Sequence, residues 1–193
     1  MVRSAKMAML AQALRFCGWT GFPLVLFGCP MAVLPAVDDS PHWPSGLYPI
    51  RGLMSIPHVL ADAEGVVLLD AGFPGDARRI RRVMAEIGAG PREVRAILLT
   101  HGHIDHAGCL AELKAWTGAP VYAHRLEQAH IDGKFPYTGA AQVCGVLEAA
   151  GRAVTGYRPG QIDVEIADGD ELPFWGGLRV VHLPGHTLGH CAS

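Results

Sequence analysis

Six of the ten histidines among the 193 residues fall into two short windows, His101/His103/His106 and His182/His186/His190. The first reads Thr100-His101-Gly102-His103-Ile104-Asp105-His106, so four metal-capable side chains lie within six residues. His101 and His103 stand two apart and, on extended backbone, point to the same side. Gly102 between them removes the steric cost of an unusual turn. Asp105 and His106 follow at the entry to a helix and can face a second point nearby. Neutral imidazoles suit zinc, iron and nickel, and a mixed nitrogen and oxygen set with few thiolates argues against an iron–sulfur cluster. A lone histidine reads as a satisfied structural residue, whereas this set behind a buried strand reads as a metal site. Cys17, Cys29, Cys109, Cys144 and Cys191 are odd in number and contain no CxxC pair, so they predict neither a disulfide framework nor a cysteine-rich zinc knuckle. Cys109, just after the first window, reads as core packing rather than as a ligand.

The elements that must position these residues alternate between strand and helix. Ile50–Leu60 and Val66–Leu69, separated by Asp62-Ala63-Glu64-Gly65, predict a hairpin with a tight turn. A helix follows, with Asp76 at its start, Ile80, Val83, Met84 and Ile87 at helical spacing, and Gly88 at its end. Arg78, Arg79, Arg81 and Arg82 lie largely on the opposite, solvated flank. Ala96–Leu99 is a short continuous apolar run of the kind buried strands show. It opens directly into the first window, the strand-to-helix loop where α/β sheets carry ligand sites. A second helix is expected over 107–117 through Leu110, Leu113 and Trp116, a strand at Val121–Ala123, and a helix near Ala140–Ala150. The chain then offers a strand at Val164–Ile166, a turn at Ala167-Asp168-Gly169-Asp170, and a hairpin through Trp175-Gly176-Gly177 into Leu178–Leu183.

Three segments in this order carry a family resemblance: Leu68-Leu69-Asp70-Ala71-Gly72, the His-x-His-x-Asp-His window, and Leu183-Pro184-Gly185-His186-Thr187-Leu188-Gly189-His190. They resemble the metallo-β-lactamase superfamily, most closely its glyoxalase-II-like branch, over about Leu47 to the C-terminus. The resemblance implies an α/β fold, the αβ/βα sandwich. It implies that His101, His103 and His186 bind a first metal and that Asp105 and His106 bind a second, with zinc the expected ion and iron an alternative. Asp105 would also orient the attacking water or accept its proton. Asp70 would orient the ligand loop from beneath, and His182 and His190 would be supporting residues. The implied activity is metal-assisted hydrolysis of a small ester, thioester, lactone or amide-type substrate. A mononuclear iron enzyme of the persulfide dioxygenase type and a non-catalytic remnant are the competing readings.

The family pattern continues past this point, with a metal-bridging Asp and a final His ligand. Only seven residues follow His186 here, none of them Asp or Glu. The expectation is therefore the N-terminal part of the sandwich, residues 47–193, with the second half largely missing. On that expectation the second metal is weakly held, activity is weak or absent, and the uncovered sandwich face is prone to self-association.

Composition narrows the classes further. Half of the residues are apolar, 18% are charged and the net charge is −2, which excludes a disordered chain and a strongly basic nucleic-acid binder. A small-molecule substrate is expected, and no nucleic acid. Upstream, Arg3, Lys6 and Arg15 precede an uncharged run from Phe16 to Val37. That length matches the ~20 apolar residues a membrane span needs, although Pro23, Pro30 and Pro35 break it as a single helix. Leu26-Phe27-Gly28-Cys29 is similar to a lipoprotein cleavage box with a bulky Phe27. An export signal, a membrane anchor that would associate the chain with a bilayer, and an apolar extension packed on the domain all fit residues 1–37. Export or anchoring follows from the first two and a cytoplasmic location from the last. Residues 38–46, with Asp38-Asp39-Ser40-Pro41, Pro44 and Gly46, read as a linker into the domain.

Overall fold

Val66-Val67-Leu68 and Ala96-Ile97-Leu98 are too uniformly apolar for strands with one wet face, and both lie in strands at the centre of a sheet. The computed structural model describes residues 43–139 and 142–193. The expected leader and residues 38–42 of the linker lie outside them. Among the described residues no helix is long and apolar enough to cross a membrane.

The sheet has six strands in sequential order: β1 (Leu47–Pro49), β2 (His58–Asp62), β3 (Gly65–Leu69), β4 (Val94–Leu98), β5 (Val121–Ala123) and β6 (Val164–Glu165). The first three pair antiparallel and β3 to β6 run parallel. Helices fill the parallel crossovers: α1 (Ala77–Glu86), α2 (Ile104–Ala107), α3 (Leu110–Thr117), α4 (Glu127–Ile131) and α5 (Gln142–Thr155). Ile80, Val83 and Met84 of α1 and Leu110 and Leu113 of α3 join Leu68, Ile97 and Leu99 in one fully buried core. Each such side chain contributes about 1.5–3 kcal/mol of transfer free energy. Tyr122 points to the other face of the sheet and meets Phe174 edge-on, with ring centroids 5.4 Å apart.

Local chemistry shifts several expected boundaries. The hairpin is tight, but its first strand begins at His58, because the segment after Ile50 folds into a loop tied by Gly52 N–H to the Ser55 carbonyl (3.0 Å). Asp76 precedes α1 without capping it. Its carboxylate instead accepts from the backbone N–H groups of Leu53 and Phe73 and from Arg79. The α1 N-terminus is met by the Cys109 thiol, whose Sγ accepts from Ala77 N–H and donates to the Phe73 carbonyl, so Cys109 packs as expected. Gly88 does end α1, at φ 75°. The helix expected over 107–117 starts at Leu110, after the short α2, because Cys109 leaves helical geometry between them at φ −104° and ψ 13°. The Ala140–Ala150 helix runs on to Thr155. The Leu178–Leu183 run divides: β7 (Glu171–Leu172) pairs with β8 (Leu178–Arg179), whereas β9 (Val181–His182) pairs with β10 (Cys191–Ala192).

This topology sets both histidine windows at one end of the sheet. Asp70 follows β3, Thr100 follows β4, and the second window is the loop joining β9 to β10. Cys191 N–H reaches the Thr100 carbonyl at 3.0 Å and fastens that loop to the first.

Candidate metal centre

Asp70 is the floor of the site. It is 5% exposed, sits at φ 64° and accepts from Thr100 N–H (2.8 Å), the Thr100 hydroxyl (2.9 Å) and His106 Nδ1 (2.8 Å). The single Thr100 hydroxyl proton goes to this carboxylate, so the oxygen accepts from His101 Nδ1, 3.0 Å away. In the neutral form of each ring the proton is thereby placed on Nδ1 and the lone pair a metal needs on Nε2. His106 turns that nitrogen toward Asp105, with Oδ2 at 3.5 Å.

Glu127 is the wall, and sequence reading did not find it. Its side chain is fully buried; Oε2 accepts from Gly102 N–H (2.7 Å) and Oε1 from Gly189 N–H (2.8 Å), one in each histidine window. Both glycines are needed for this approach. A Cβ at Gly102 would lie 2.8 Å from the Glu127 carbonyl oxygen, and one at Gly189 would lie 2.7 Å from Glu127 Oε1. No periodicity links position 127 to 102 or 189, so the signal was absent from the sequence.

His101, His103 and His186 each bring one donor atom within 4.8 Å of the others, and His101, Asp105 and His106 do the same. His101 is common to both groups. Its Nε2 lies 3.1 Å from His186 Nε2, a separation at which two ring nitrogens share a proton or a cation. Burial, then the crowding of His106, His103 and His186, holds His101 far below the usual histidine range. Burial, followed by His186 and His130, pushes His103 down to about 3, and burial lowers His186 as well. These three are neutral near pH 7, the ligating form. His106 goes the other way: burial opposes its charge, but the Asp70 carboxylate, by charge and hydrogen bond, outweighs it. A set of neutral imidazoles with fixed lone pairs fits a zinc-type ion.

The remaining residues fall outside these groups. His182 donates from Nε2 to the Leu188 carbonyl (2.8 Å), and the His190 ring centroid stands 5.2 Å from that of His101. A second cluster was also missed: Tyr137 hydrogen-bonds His103 Nε2, and Glu148 and Arg152 of α5 pair at 2.5 Å behind it. The i,i+4 acid–base pair in an otherwise apolar helix was a readable sign of it.

Comparison with known proteins agrees with the geometry. A family model described as the metallo-beta-lactamase superfamily matches residues 57–193. A probable metallo-hydrolase, YflN, of Bacillus subtilis (strain 168) is 30% identical over 138 residues, covering 67% of this chain and 51% of its own length. A hydroxyacylglutathione hydrolase of Bdellovibrio bacteriovorus is 32% identical over 121 residues, covering 62% of this chain and 36% of its own. Among solved structures, a Cronobacter sakazakii metallo-beta-lactamase with a HARLDQ motif superposes with a TM-score of 0.63 at 28% identity, over 76% of this chain and 53% of that one. The chain thus spans about half the length, or less, of these relatives. With a mixed sheet and crossover helices of that fold and a family match over well more than half its length, the chain belongs to the metallo-beta-lactamase superfamily.

Proposed function

We propose that this chain carries the metal centre of a hydrolase acting on a small ester, thioester, lactone or amide-type substrate. His101, His103 and His186 hold a first divalent ion, zinc by donor type, and Asp105 and His106 stand where a second would be held. The observation that carries this reading is the convergence of three imidazoles, two of them with Nε2 atoms 3.1 Å apart, from loops 85 residues apart in sequence. Such an ion, when bound, lowers the pKa of a coordinated water and polarises a carbonyl oxygen.

The chain's own groups divide the rest of the work. Asp70 and Thr100 fix the ring orientation of His101 and His106. Asp105, partly exposed beside His106, is the carboxylate placed to orient a water molecule or take its proton. Ser55 donates to the Asp105 carbonyl and fastens the loop bearing the exposed Leu53, Met54 and Ile56 beside the site. That apolar rim suits an acyl group better than a polyanion, as does a net charge of −2 with a pI of about 6.5.

The test is elemental analysis of the purified protein together with hydrolysis assays on ester, thioester and lactone substrates. Bound zinc and a rate lost on chelation are expected. No retained metal and no rate above background would leave the non-catalytic reading, and bound iron with oxygen consumption on a persulfide would leave the dioxygenase.

A further inference from the structure

His103 is oriented differently from its neighbours. His101 and His106 direct Nδ1 away from the cluster, toward Thr100 and Asp70. In His103 it is Nε2 that turns away, to the Tyr137 hydroxyl, while the ring stands 4.7 Å from that of His101 and 4.6 Å from that of His186 by centroid, so Nδ1 is the nitrogen left for that group. The Tyr137 hydroxyl in turn lies 3.3 Å from Glu148 Oε2, which is 4.0 Å from His103 Nε2, too far for a direct bond.

The far end of this chain has a fixed direction. Glu148 Oε1 accepts from Ile104 N–H (3.0 Å) and from Arg152 Nη2 (2.5 Å). Arg152 is held by its other contacts, Nη1 to the Ile131 carbonyl (2.8 Å) and Nη2 to the Gly102 carbonyl (3.1 Å), and is 8% exposed. A carboxylate only accepts, so the Tyr137 O–H donates to Glu148 and its oxygen has only lone pairs left for His103. With the hydroxyl proton assigned to Glu148, a neutral His103 carries its own proton on Nε2.

We infer that Tyr137 and Glu148 are positioning residues that hold His103 in the Nε2–H tautomer and so present Nδ1 as its donor to the His101/His103/His186 group. This rests on the metal-centre reading for its purpose, not for its geometry. The relay is the counterpart of the Asp70–Thr100 relay, built from the opposite side of the site by α5 and the segment before it. Metal-bound histidines are commonly tuned through their second nitrogen, and loss of such a partner costs about 10–100-fold in metal affinity.

Glu148→Gln makes the prediction directional. The Gln oxygen keeps the place facing Ile104 N–H and Arg152, so its amide nitrogen faces Tyr137 and donates to it. The Tyr137 hydroxyl then donates to His103 Nε2 and the proton moves to Nδ1. Long-range proton–nitrogen NMR of the chelated, metal-free full chain reads the tautomer directly, and zinc titration of the same samples reads the affinity. The expected results are an Nε2–H His103 in the wild type, an Nδ1–H His103 in Glu148→Gln with zinc affinity down about 10–100-fold, and a mixed tautomer with a smaller loss in Tyr137→Phe. Tyr137→Phe keeps the ring in place, so it serves if Glu148→Gln unfolds. An Nδ1–H His103 in the wild type, or variants with an unchanged tautomer, would overturn the relay even if zinc binds. Expected tautomers with no zinc uptake by the wild type would overturn the metal-centre reading and leave the relay standing.

Discussion

The loop after β4 and the loop between β9 and β10 deliver histidines to the same cluster, yet His101 is 3% exposed while His186 is among the exposed residues. Around the first loop Asp70, Thr100, Glu127, Tyr137, Glu148 and Arg152 each engage a ring nitrogen or a backbone group directly or through one partner. The second is held by Gly189 N–H to Glu127, Cys191 N–H to Thr100, His182 N–H to Asp168, the His182 ring to the Leu188 carbonyl, and a ribbon of two residue pairs extended by Leu183 N–H to the His190 carbonyl. Its buried Thr187 hydroxyl has no hydrogen-bond partner among the described residues. One half of the cluster is thus held by the surrounding fold, whereas the other is braced mainly through its contacts with the first. Few buried contacts and a short ladder mark the second loop as the less stable part.

The largest effect should come from the residue that joins the two. Glu127→Ala strips the acceptor from two buried N–H groups and should lower unfolding free energy by about 2–5 kcal/mol, read by urea denaturation of the chelated protein. A loss under about 0.5 kcal/mol, the scale of an ordinary surface change, would show that the loops are tied elsewhere. Next, His101→Ala and His186→Ala should both abolish zinc uptake, but only His101→Ala should destabilise the metal-free protein, by about 1–3 kcal/mol. Equal destabilisation by the two would erase the contrast between the loops.

The acid response separates the same groups. Burial lowers His101, His103 and His186 below the ordinary 6.5, so their contribution to metal-free stability is complete above that pH and is lost as pH falls from 6.5 toward 3. His106, raised by Asp70, contributes in the opposite sense below 6.5, one group against these three and against His58, His124 and His130, which burial also lowers. Urea midpoints should therefore fall between pH 7.5 and pH 4, about these pH values being the useful window, and a flat profile would contradict the burial of the cluster. The smallest effect is dynamic: zinc should increase amide-exchange protection more over 183–190 than over 100–106. The reverse order would mean that the first loop is the one metal organises.

Much of this was legible in the residues. His101, His103, Asp105 and His106 lie close in sequence, and the apolar run before them fixed the strand that aims them. The core of α1 followed from Ile80, Val83 and Met84. The long-range braces did not show. Glu127 meets Gly102 and Gly189 only because β5 lies beside β4 and the β9–β10 ribbon folds back, and nothing local encodes that meeting. The break between α2 and α3 was hidden for a related reason: it falls at Cys109, whose thiol meets Ala77 N–H and the Phe73 carbonyl, groups contributed from another part of the chain.

The proposed metal centre depends on His101, His103 and His186 forming one ion site. Equilibrium dialysis of the chelated chain against zinc, with His101→Ala, His103→Ala and His186→Ala in parallel, tests it most directly. Saturable uptake of at least one zinc per wild-type chain, lost in all three variants, is expected. No uptake by the wild type, or uptake that survives in His186→Ala at wild-type affinity, would contradict it.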